Sequence, residues 1–294
     1  MNSKRTPPPS GLVIVDKPAD WTSHDVVAKM RGIAGTRKVG HAGTLDPMAT
    51  GVLVVGVEKA TRLLGHLALT EKVYEATIRL GVGTNTDDAE GEVTSTAPAG
   101  HVEDAAVVKG VAALTGPIMQ VPPQVSAIKV NGERAYKLAR AGEEVELQAR
   151  PLTVYAFDVT AIRNDGQVVD VDATITCSSG TYIRALARDL GAALGVGGHL
   201  TYLRRTRVGP YTDGKTLDEL QKECVIMPIE AAVAAAFPRR DVTEQEARLV
   251  AHGGRLPAIG LGAGPIGVFG PDGTLLSLVE ERQGAAKPLA VFVG

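Results

Sequence analysis

The chain has 294 residues, of which 44% are hydrophobic and 22% are charged, and its formal net charge is −2. This length is enough for one large domain and a smaller one. No apolar run approaches the length of a membrane span, which argues against a membrane protein. The two cysteines, Cys177 and Cys224, are far apart and form no Cys-x-x-Cys motif, so we expect a reducing cytosol and no metal site.

The first predicted elements are a strand and a helix. Residues 1–10 are polar and proline-rich, and we expect a disordered tail there. Residues 11–16 predict a strand. Either Thr22 or Ser23 can cap the helix that follows, whose apolar residues recur on one face.

A glycine-rich loop over residues 40–51 contains one carboxylate, Asp46. Pro47 biases Asp46 toward an extended conformation, and the apolar run at 52–55 predicts a buried strand. A carboxylate on a rigid loop beside the core is well placed to react. Because Asp-Pro also commonly starts a turn, Asp46 could instead cap a helical turn.

The middle of the chain mixes strands and helices without a regular βαβ rhythm, which favours an α+β fold. Strands are predicted at residues 73–82, 152–160 and 168–177, and helices at 103–114, 182–194 and 216–237. Prolines bracket residues 117–151, which we interpret as an excursion from the core with a short helix at about 134–141. After Phe237 and Pro238 the chain becomes glycine-rich with short β segments, which predicts a small β domain at 241–294.

Positive charge is concentrated in two stretches of the chain. Residues 1–65 hold nine Lys or Arg against five acids, and residues 199–215 hold four against one. Such stretches are typical of a local phosphate-binding surface on an otherwise neutral protein. On charge alone, a solvated face without a ligand is the simpler interpretation.

Seven groups of short motifs occur in order between about residues 11 and 210. They occupy residues 11–18 with 21–25, 40–51, 72–81, 84–91, 121–129, 177–184 and 199–206. Together they resemble one family, the TruB-type tRNA pseudouridine synthases. The C-terminal stretch resembles the family much less.

The resemblance implies a pseudouridine synthase fold, in which helices flank a mixed, largely antiparallel central sheet. The catalytic domain would span residues 11–238, with a thumb-like insertion at about 120–150 that grips RNA. Residues 241–294 would form a small, β-rich, PUA-like domain. Residues 216–294 hold seven Lys or Arg against ten acids, so an RNA contact there is an open question.

The implied reaction converts uridine to pseudouridine by breaking the C1′–N1 bond and joining C5 to C1′. It needs no cofactor, no redox change and no metal. The resemblance makes Asp46 the catalytic carboxylate, acting either as a nucleophile or as a base that opens a glycal path. Arg184 is the cation expected to keep Asp46 ionised, and the family pattern implies a bridge between them. The alternative is that Arg184 is a surface arginine on its helix.

Two tyrosines in the matching motifs, Tyr74 and Tyr182, are candidates to hold the flipped base by stacking. Tyr74 is also a candidate acceptor for the proton lost from C5. Because Tyr74 lies in an alternating strand, an ordinary core role is the alternative, but with only six tyrosines in the chain we favour a functional role for both. Leu203 is expected to close the pocket as an apolar wall, although a plain core role fits nearly as well.

The remaining candidates would bind RNA or support the site. His41 is expected to fill the gap left by the flipped base or to bond RNA, unless it only shapes its loop. Lys17 is expected to support the floor of the active site. The expected phosphate contacts are Arg204, Arg205 and Arg207, which would position RNA without selecting the base. A structural role is expected for Asp87 and Asp88.

The sequence therefore predicts a cytoplasmic enzyme that isomerises the T-loop uridine of tRNA, position 55 in the usual tRNA numbering. We expect it to recognise the folded T stem-loop by shape and to act as a monomer, without a membrane or an obligatory protein partner. Two alternatives remain open. One is a guide-dependent relative that needs protein partners, and the other is a tRNA-binding or tRNA-folding protein without required catalysis.

Overall fold

A computed structural model describes residues 7–125, 129–130, 133–134 and 147–293. It has an α+β fold that divides into two compact units. The first unit contains the described residues within 1–47, 51–68 and 208–294. The second unit contains the described residues within 48–50 and 69–207. The helix expected at about 134–141 and most of the expected thumb lie outside the described residues.

Strands supply most of the regular structure. They are β1 (Gly11–Lys17), β2 (Val39–Ala42), β3 (Thr50–Val57), β4 (Lys72–Leu80), β5 (Val82–Thr84), β6 (Val93–Thr96), β7 (Gly116–Gln120), β8 (Lys129–Val130), β9 (Glu133–Arg134), β10 (Arg150–Asn164), β11 (Val169–Cys177), β12 (Gly198–Val208), β13 (Met227–Pro228), β14 (Arg239–Asp241), β15 (Leu256–Pro257), β16 (Pro265–Phe269), β17 (Leu275–Arg282) and β18 (Ala285–Val291).

The helices are short. In the described residues they are α1 (Ser23–Ala34), α2 (Leu64–Leu67), α3 (Asp104–Ala113), α4 (Ile183–Ala193), α5 (Leu217–Lys222), α6 (Ile229–Ala236) and α7 (Glu244–Ala251), and a 3₁₀ helix lies at Glu58–Leu63. Among the described residues, no helix is both long enough and apolar enough to cross a membrane. The single helix predicted at 216–237 is wrong. Two helices form instead: α5 ends at Lys222 because Glu223 is extended, and α6 begins after Pro228, which disfavours helical geometry in Met227.

In the first unit, β1 lies antiparallel to β3, and their register runs from Gly11 opposite Val57 to Lys17 opposite Gly51. Strand β2 pairs with β3, and β13 pairs with β1. Helix α1 buries Val26 and Met30 in a cluster with apolar residues of β1 and β3. This register places the end of β1 beside the start of β3, the strand that follows the Asp46 loop.

Helix α1 begins as the sequence predicts, and the structure decides between its two candidate caps. Thr22 is the N-cap and forms a capping box with Asp25. The hydroxyl of Ser23 faces inward and bonds the backbone of Leu45. The helix ends at Gly35, whose φ of 69° is in the left-handed region that glycine tolerates.

The C-terminal strands form a five-stranded sheet in the order β14-β16-β17-β18-β15. Phe269 and Phe292 from this part of the chain share a buried cluster with Leu63, Leu67 and Val233 of the same unit. The predicted β texture of this stretch is therefore confirmed. Its independence as a PUA-like domain stays a prediction.

In the second unit, five strands follow the order β12-β4-β11-β10-β7. The pairs β4–β11, β11–β10 and β10–β7 are antiparallel. Strand β4 buries every second residue, as the alternating sequence predicts. It stops at Leu80 because Gly81 adopts a φ of 105°, and the predicted single strand at 73–82 becomes β4 and β5.

Helix α4 packs closely against the turn that precedes β12, and glycine permits this approach. A Cβ atom at Gly191 would lie 2.2 Å from the backbone of Gly197 and 2.2 Å from that of Gly198. The amide of Gly197 also donates to the carbonyl of Gly191 at 3.1 Å. The position of α4, which carries Arg184, depends on this contact.

We therefore expect Gly191→Ala to destabilise the protein by about 1–3 kcal/mol, because backbone atoms cannot yield as a flexible side chain would. The matched control is Gly32→Ala in α1, where an added Cβ meets nothing within 4 Å. That change should stabilise the protein by about 0.5–1 kcal/mol, through helix propensity. Urea unfolding measures both effects, and equal behaviour of the two variants would contradict the close approach.

Candidate active site

The loop that carries Asp46 is held by a buried ammonium group. Lys17, the last residue of β1, has an exposed fraction of 0%. Its Nζ donates to the carbonyl oxygens of Pro18 at 2.8 Å, Trp21 at 2.6 Å and Pro47 at 3.0 Å. A buried charge is tolerated only when such partners replace water. Lys17 thus joins the segment after β1 to the residue that follows Asp46.

Two further contacts fix the backbone on both sides of Asp46. The amide of Asp20 donates to the carbonyl of Pro47 at 2.9 Å. The amide of Leu45 donates to Ser23 Oγ at 2.9 Å, and Ser23 Oγ lies 3.1 Å from the carbonyl of Leu45. Asp46 itself is half-buried. The structure therefore presents this carboxylate from a loop held rigidly at both neighbours, which agrees with the predicted rigid loop.

Two histidines lie together in the same unit. His41 is half-buried on β2, opposite Val55 of β3. Its ring meets that of His24 edge-to-face, with centroids 5.5 Å apart and planes at 81°. His24 is exposed in the first turn of α1. The sequence indicated His41 but not His24, because the contact joins residues of two separate elements.

In the second unit, Tyr74 lies on the buried face of β4 with an exposed fraction of 7%. Lys72 is on the same face, two residues earlier. Burial and the charge of Arg205 lower the pKa of Lys72 to about 8. Burial also raises the pKa of Cys177, which pairs with Lys72 across the strands, to about 11. The same buried face of β4 therefore carries both Tyr74 and the amine of Lys72, whose charged form is disfavoured by burial.

The side chains expected on β12 differ in exposure. Leu203 and Arg205 are buried, whereas Arg204 and Arg207 are half-buried. Arg204 lies 3.4 Å from the hydroxyl of Thr50, and Arg207 forms an ion pair with Glu71. Arg205 is thus not on the protein surface, although the sequence alone groups it with its neighbours. The phosphate contacts of all three stay a prediction.

Arg184 is buried, with an exposed fraction of 4%, so its interpretation as a surface arginine is wrong. Its guanidinium donates to the carbonyls of Thr86 at 2.9 Å and Val125 at 3.1 Å. It also forms an ion pair with Asp88 at 3.5 Å. One side chain thus connects α4, the turn at 84–91 and the segment before residue 126.

Arg188, one turn later on α4, repeats this arrangement. It pairs with Asp87 at 3.2 Å and donates to the carbonyl of Val121 at 2.7 Å. Burial raises the pKa of the Asp87 carboxyl, and the charge of Arg188 opposes that shift. The structural role expected for Asp87 and Asp88 is confirmed, because each binds an arginine of α4.

Tyr182 is positioned by a residue that the sequence does not single out. The side-chain amide of Gln120 donates to the carbonyl of Tyr182 at 3.1 Å and accepts from its amide at 2.9 Å. Gln120 has an exposed fraction of 1%. It therefore binds Tyr182 as a neighbouring strand would, just before α4 begins. Tyr182 is half-buried, and these two bonds fix its backbone.

Within the ranges that the structure describes, no three His, Cys, Asp or Glu side chains are arranged to hold a metal ion. In the first unit, the candidate residues Asp46 and His41 offer a carboxylate and an imidazole, and in the second unit Tyr74 and Arg184 offer a hydroxyl and a guanidinium. Such groups can bind a nucleotide and move protons.

Three family models match successive parts of the chain. Residues 31–183 match the TruB family pseudouridylate synthase N-terminal domain. Residues 184–234 match the tRNA pseudouridylate synthase B C-terminal domain, and residues 237–293 match the C-terminal model of tRNA pseudouridine synthase II.

Similar proteins extend over nearly the whole chain. A tRNA pseudouridine synthase B of Thermobifida fusca is 67% identical and covers 97% of this chain and 99% of its own. One of Streptomyces coelicolor is 64% identical over 99% of this chain and 100% of its own. A solved Cbf5–Nop10–Gar1 complex aligns with a TM-score of 0.72 at 30% identity, over 97% of this chain and 84% of that one. An H/ACA RNP bound to a substrate RNA containing 2′-deoxyuridine also gives 0.72, at 25% identity, over 100% and 92%.

We expect Gln120→Met, which keeps the length of the side chain, to destabilise the protein by about 1–3 kcal/mol, because the backbone of Tyr182 loses two buried partners. Amide exchange at Tyr182 should become faster. The control is Gln167→Met, since Gln167 is exposed, and it should change neither quantity. Urea unfolding and hydrogen exchange test this expectation, and unchanged protection at Tyr182 in Gln120→Met would contradict it.

Proposed function

Since the chain belongs to the TruB family of pseudouridine synthases, we propose that it isomerises the T-loop uridine of tRNA, at position 55, to pseudouridine. The enzyme is an isomerase because one glycosidic bond replaces another within the same nucleotide. The C1′–N1 bond breaks, C5 joins C1′, N1 gains a proton and C5 loses one. The relatives of similar length are all named tRNA pseudouridine synthase B, which supports a tRNA substrate.

Asp46 is the catalytic carboxylate of this proposal. The single observation that carries the assignment is the clamp around it, in which Lys17 and Asp20 bind Pro47 and Ser23 binds Leu45. A reacting group held in advance lowers the entropic part of the barrier. Both routes begin at this carboxylate, by attack on C1′ or by removal of a sugar proton.

Tyr74 is proposed to stack on the base and to accept the proton that leaves C5, either directly or through water. Its position on a buried, regular strand supports a fixed ring orientation. Tyr182 and Leu203 are proposed as further contacts to the base. His41 is proposed to occupy the space that the everted base leaves in the RNA.

Arg184 is proposed to keep the Asp46 carboxylate ionised. Its contacts with Thr86, Val125 and Asp88 show how the guanidinium is oriented within its own unit. A guanidinium carries five N–H donors in a rigid fork and can serve several acceptors at once. The bridge from Arg184 to Asp46 that the family resemblance implies stays a prediction.

The proposed enzyme needs no protein partner. Relatives named as tRNA enzymes are 62–67% identical to this chain, whereas the chain of the Cbf5–Nop10–Gar1 complex is 30% identical. The likeness to that assembly makes a guide-dependent activity the second candidate. We propose that the enzyme acts in the cytoplasm on the folded T stem-loop and everts the uridine. Arg204, Arg205 and Arg207 are proposed to contact phosphates; the side chains of Arg204 and Arg207 are half-buried, and that of Arg205 is buried.

We expect the purified chain alone to form pseudouridine in an unmodified tRNA transcript and to release tritium from 5-³H-uridine. Asp46→Asn should bind the same RNA but release no tritium, because the amide is neutral and a poor nucleophile and base. Asp218→Asn alters an exposed carboxylate of α5 and is the matched control, which should keep full activity.

Each other outcome has a definite meaning. Normal tritium release by Asp46→Asn would eliminate Asp46 as the catalytic group. Binding without release by the unmodified chain would favour the tRNA-binding alternative. Activity that appears only with a guide RNA and added proteins would favour the guide-dependent one.

A further inference from the structure

Trp21 is the only tryptophan in a chain with 4% aromatic residues, and 36% of it is exposed. Large aromatic side chains usually contribute to a core, yet this one reaches the surface. Trp21 lies between the end of β1 and the start of α1 in the first unit. At this position its ring is accessible to a ligand.

The backbone around Trp21 is fixed next to the Asp46 loop. Lys17 Nζ binds the carbonyl of Trp21 at 2.6 Å and, through the same nitrogen atom, the carbonyl of Pro47 at 3.0 Å. The next residue, Thr22, is tied into the capping box of α1. An aromatic side chain on a fixed backbone loses little conformational entropy when it binds a ligand.

Helix α1, which begins two residues after Trp21, carries aromatic and positive groups on its exposed side. His24 is exposed and touches His41 through its ring. On α1, His24 and Arg31 lie on one exposed stripe, with Ala28 between them and Lys29 alongside. Within the described part of the chain, neither Lys29 nor Arg31 forms an ion pair. An aromatic platform followed by unpaired positive charge is the composition of a single-stranded RNA site.

We propose that Trp21 and His24 form a stacking subsite for an unpaired RNA base next to the everted uridine, with Lys29 and Arg31 facing the following phosphates. This subsite rests on the proposed function. Stacking on Trp21 would hold the neighbouring nucleotide while the target leaves the stack. It would therefore contribute to RNA binding more than to the chemical step.

A structural role for Trp21 is the competing explanation. Trp21 precedes the N-cap, and an apolar residue there often packs against the residue five positions later, here the buried Val26, as a hydrophobic staple. Trp21→Leu separates the two roles, because leucine can form the staple but offers no aromatic plane. The stacking role predicts lost RNA affinity at unchanged thermal stability.

The single tryptophan also gives a direct optical test. Tryptophan emission of the unmodified chain should be quenched on titration with a T stem-loop transcript, with the same midpoint as RNA binding measured by filter retention. Trp21→Phe, which contains no tryptophan, gives the background emission. Adding Ile259→Trp, at an exposed position, to the Trp21→Phe protein gives a control whose emission should not respond.

In steady-state assays, Trp21→Leu should raise KM about tenfold, the order expected for one lost base–aromatic contact, and leave kcat within about twofold. Unchanged emission at saturating RNA, or an unchanged KM in Trp21→Leu, would overturn the subsite. Turnover by the unmodified chain would uphold the proposed function in either case. Failure of the unmodified chain to convert the RNA would overturn both.

Discussion

The ammonium group of Lys17 binds carbonyl oxygens from three parts of the backbone, and the placement of Asp46 depends on these bonds. A fully buried cation would be costly if any one of the three segments moved away. The end of β1, the residue before the α1 cap and the residue after Asp46 are therefore held as one piece. The proposed catalytic carboxylate and the proposed stacking platform at Trp21 thus share one anchor.

The second unit uses the same principle with guanidinium groups. Arg184 and Arg188 lie one turn apart on α4, and each binds one carboxylate of the 84–91 turn and one carbonyl of the 121–125 segment. Gln120 adds the bonds to Tyr182. These contacts fix the segments that lead to residue 126 and the start of α4. Buried polar groups, rather than apolar packing alone, position the proposed base-contacting residues.

Local patterns predicted the parts of this structure that local physics decides. The buried run of β3, the alternation of β4 and the start of α1 all follow from spacing within a few residues. The role of Gln120 could not be predicted, because its partner is 62 residues away and one buried amide leaves no periodic pattern. For the same reason, Ser23 looked like a cap, whereas it binds Leu45 across 22 residues.

The most direct test of the central claim replaces the anchor itself. Amide hydrogen exchange over residues 43–50 and turnover of a tRNA transcript would be measured for Lys17→Met and for Lys109→Met, an exposed lysine on α3. If the buried ammonium holds the loop, Lys17→Met exchanges faster there and loses at least about tenfold in kcat, the effect of a small misplacement of a catalytic group, while Lys109→Met changes neither. Full protection and full turnover in Lys17→Met would contradict the account.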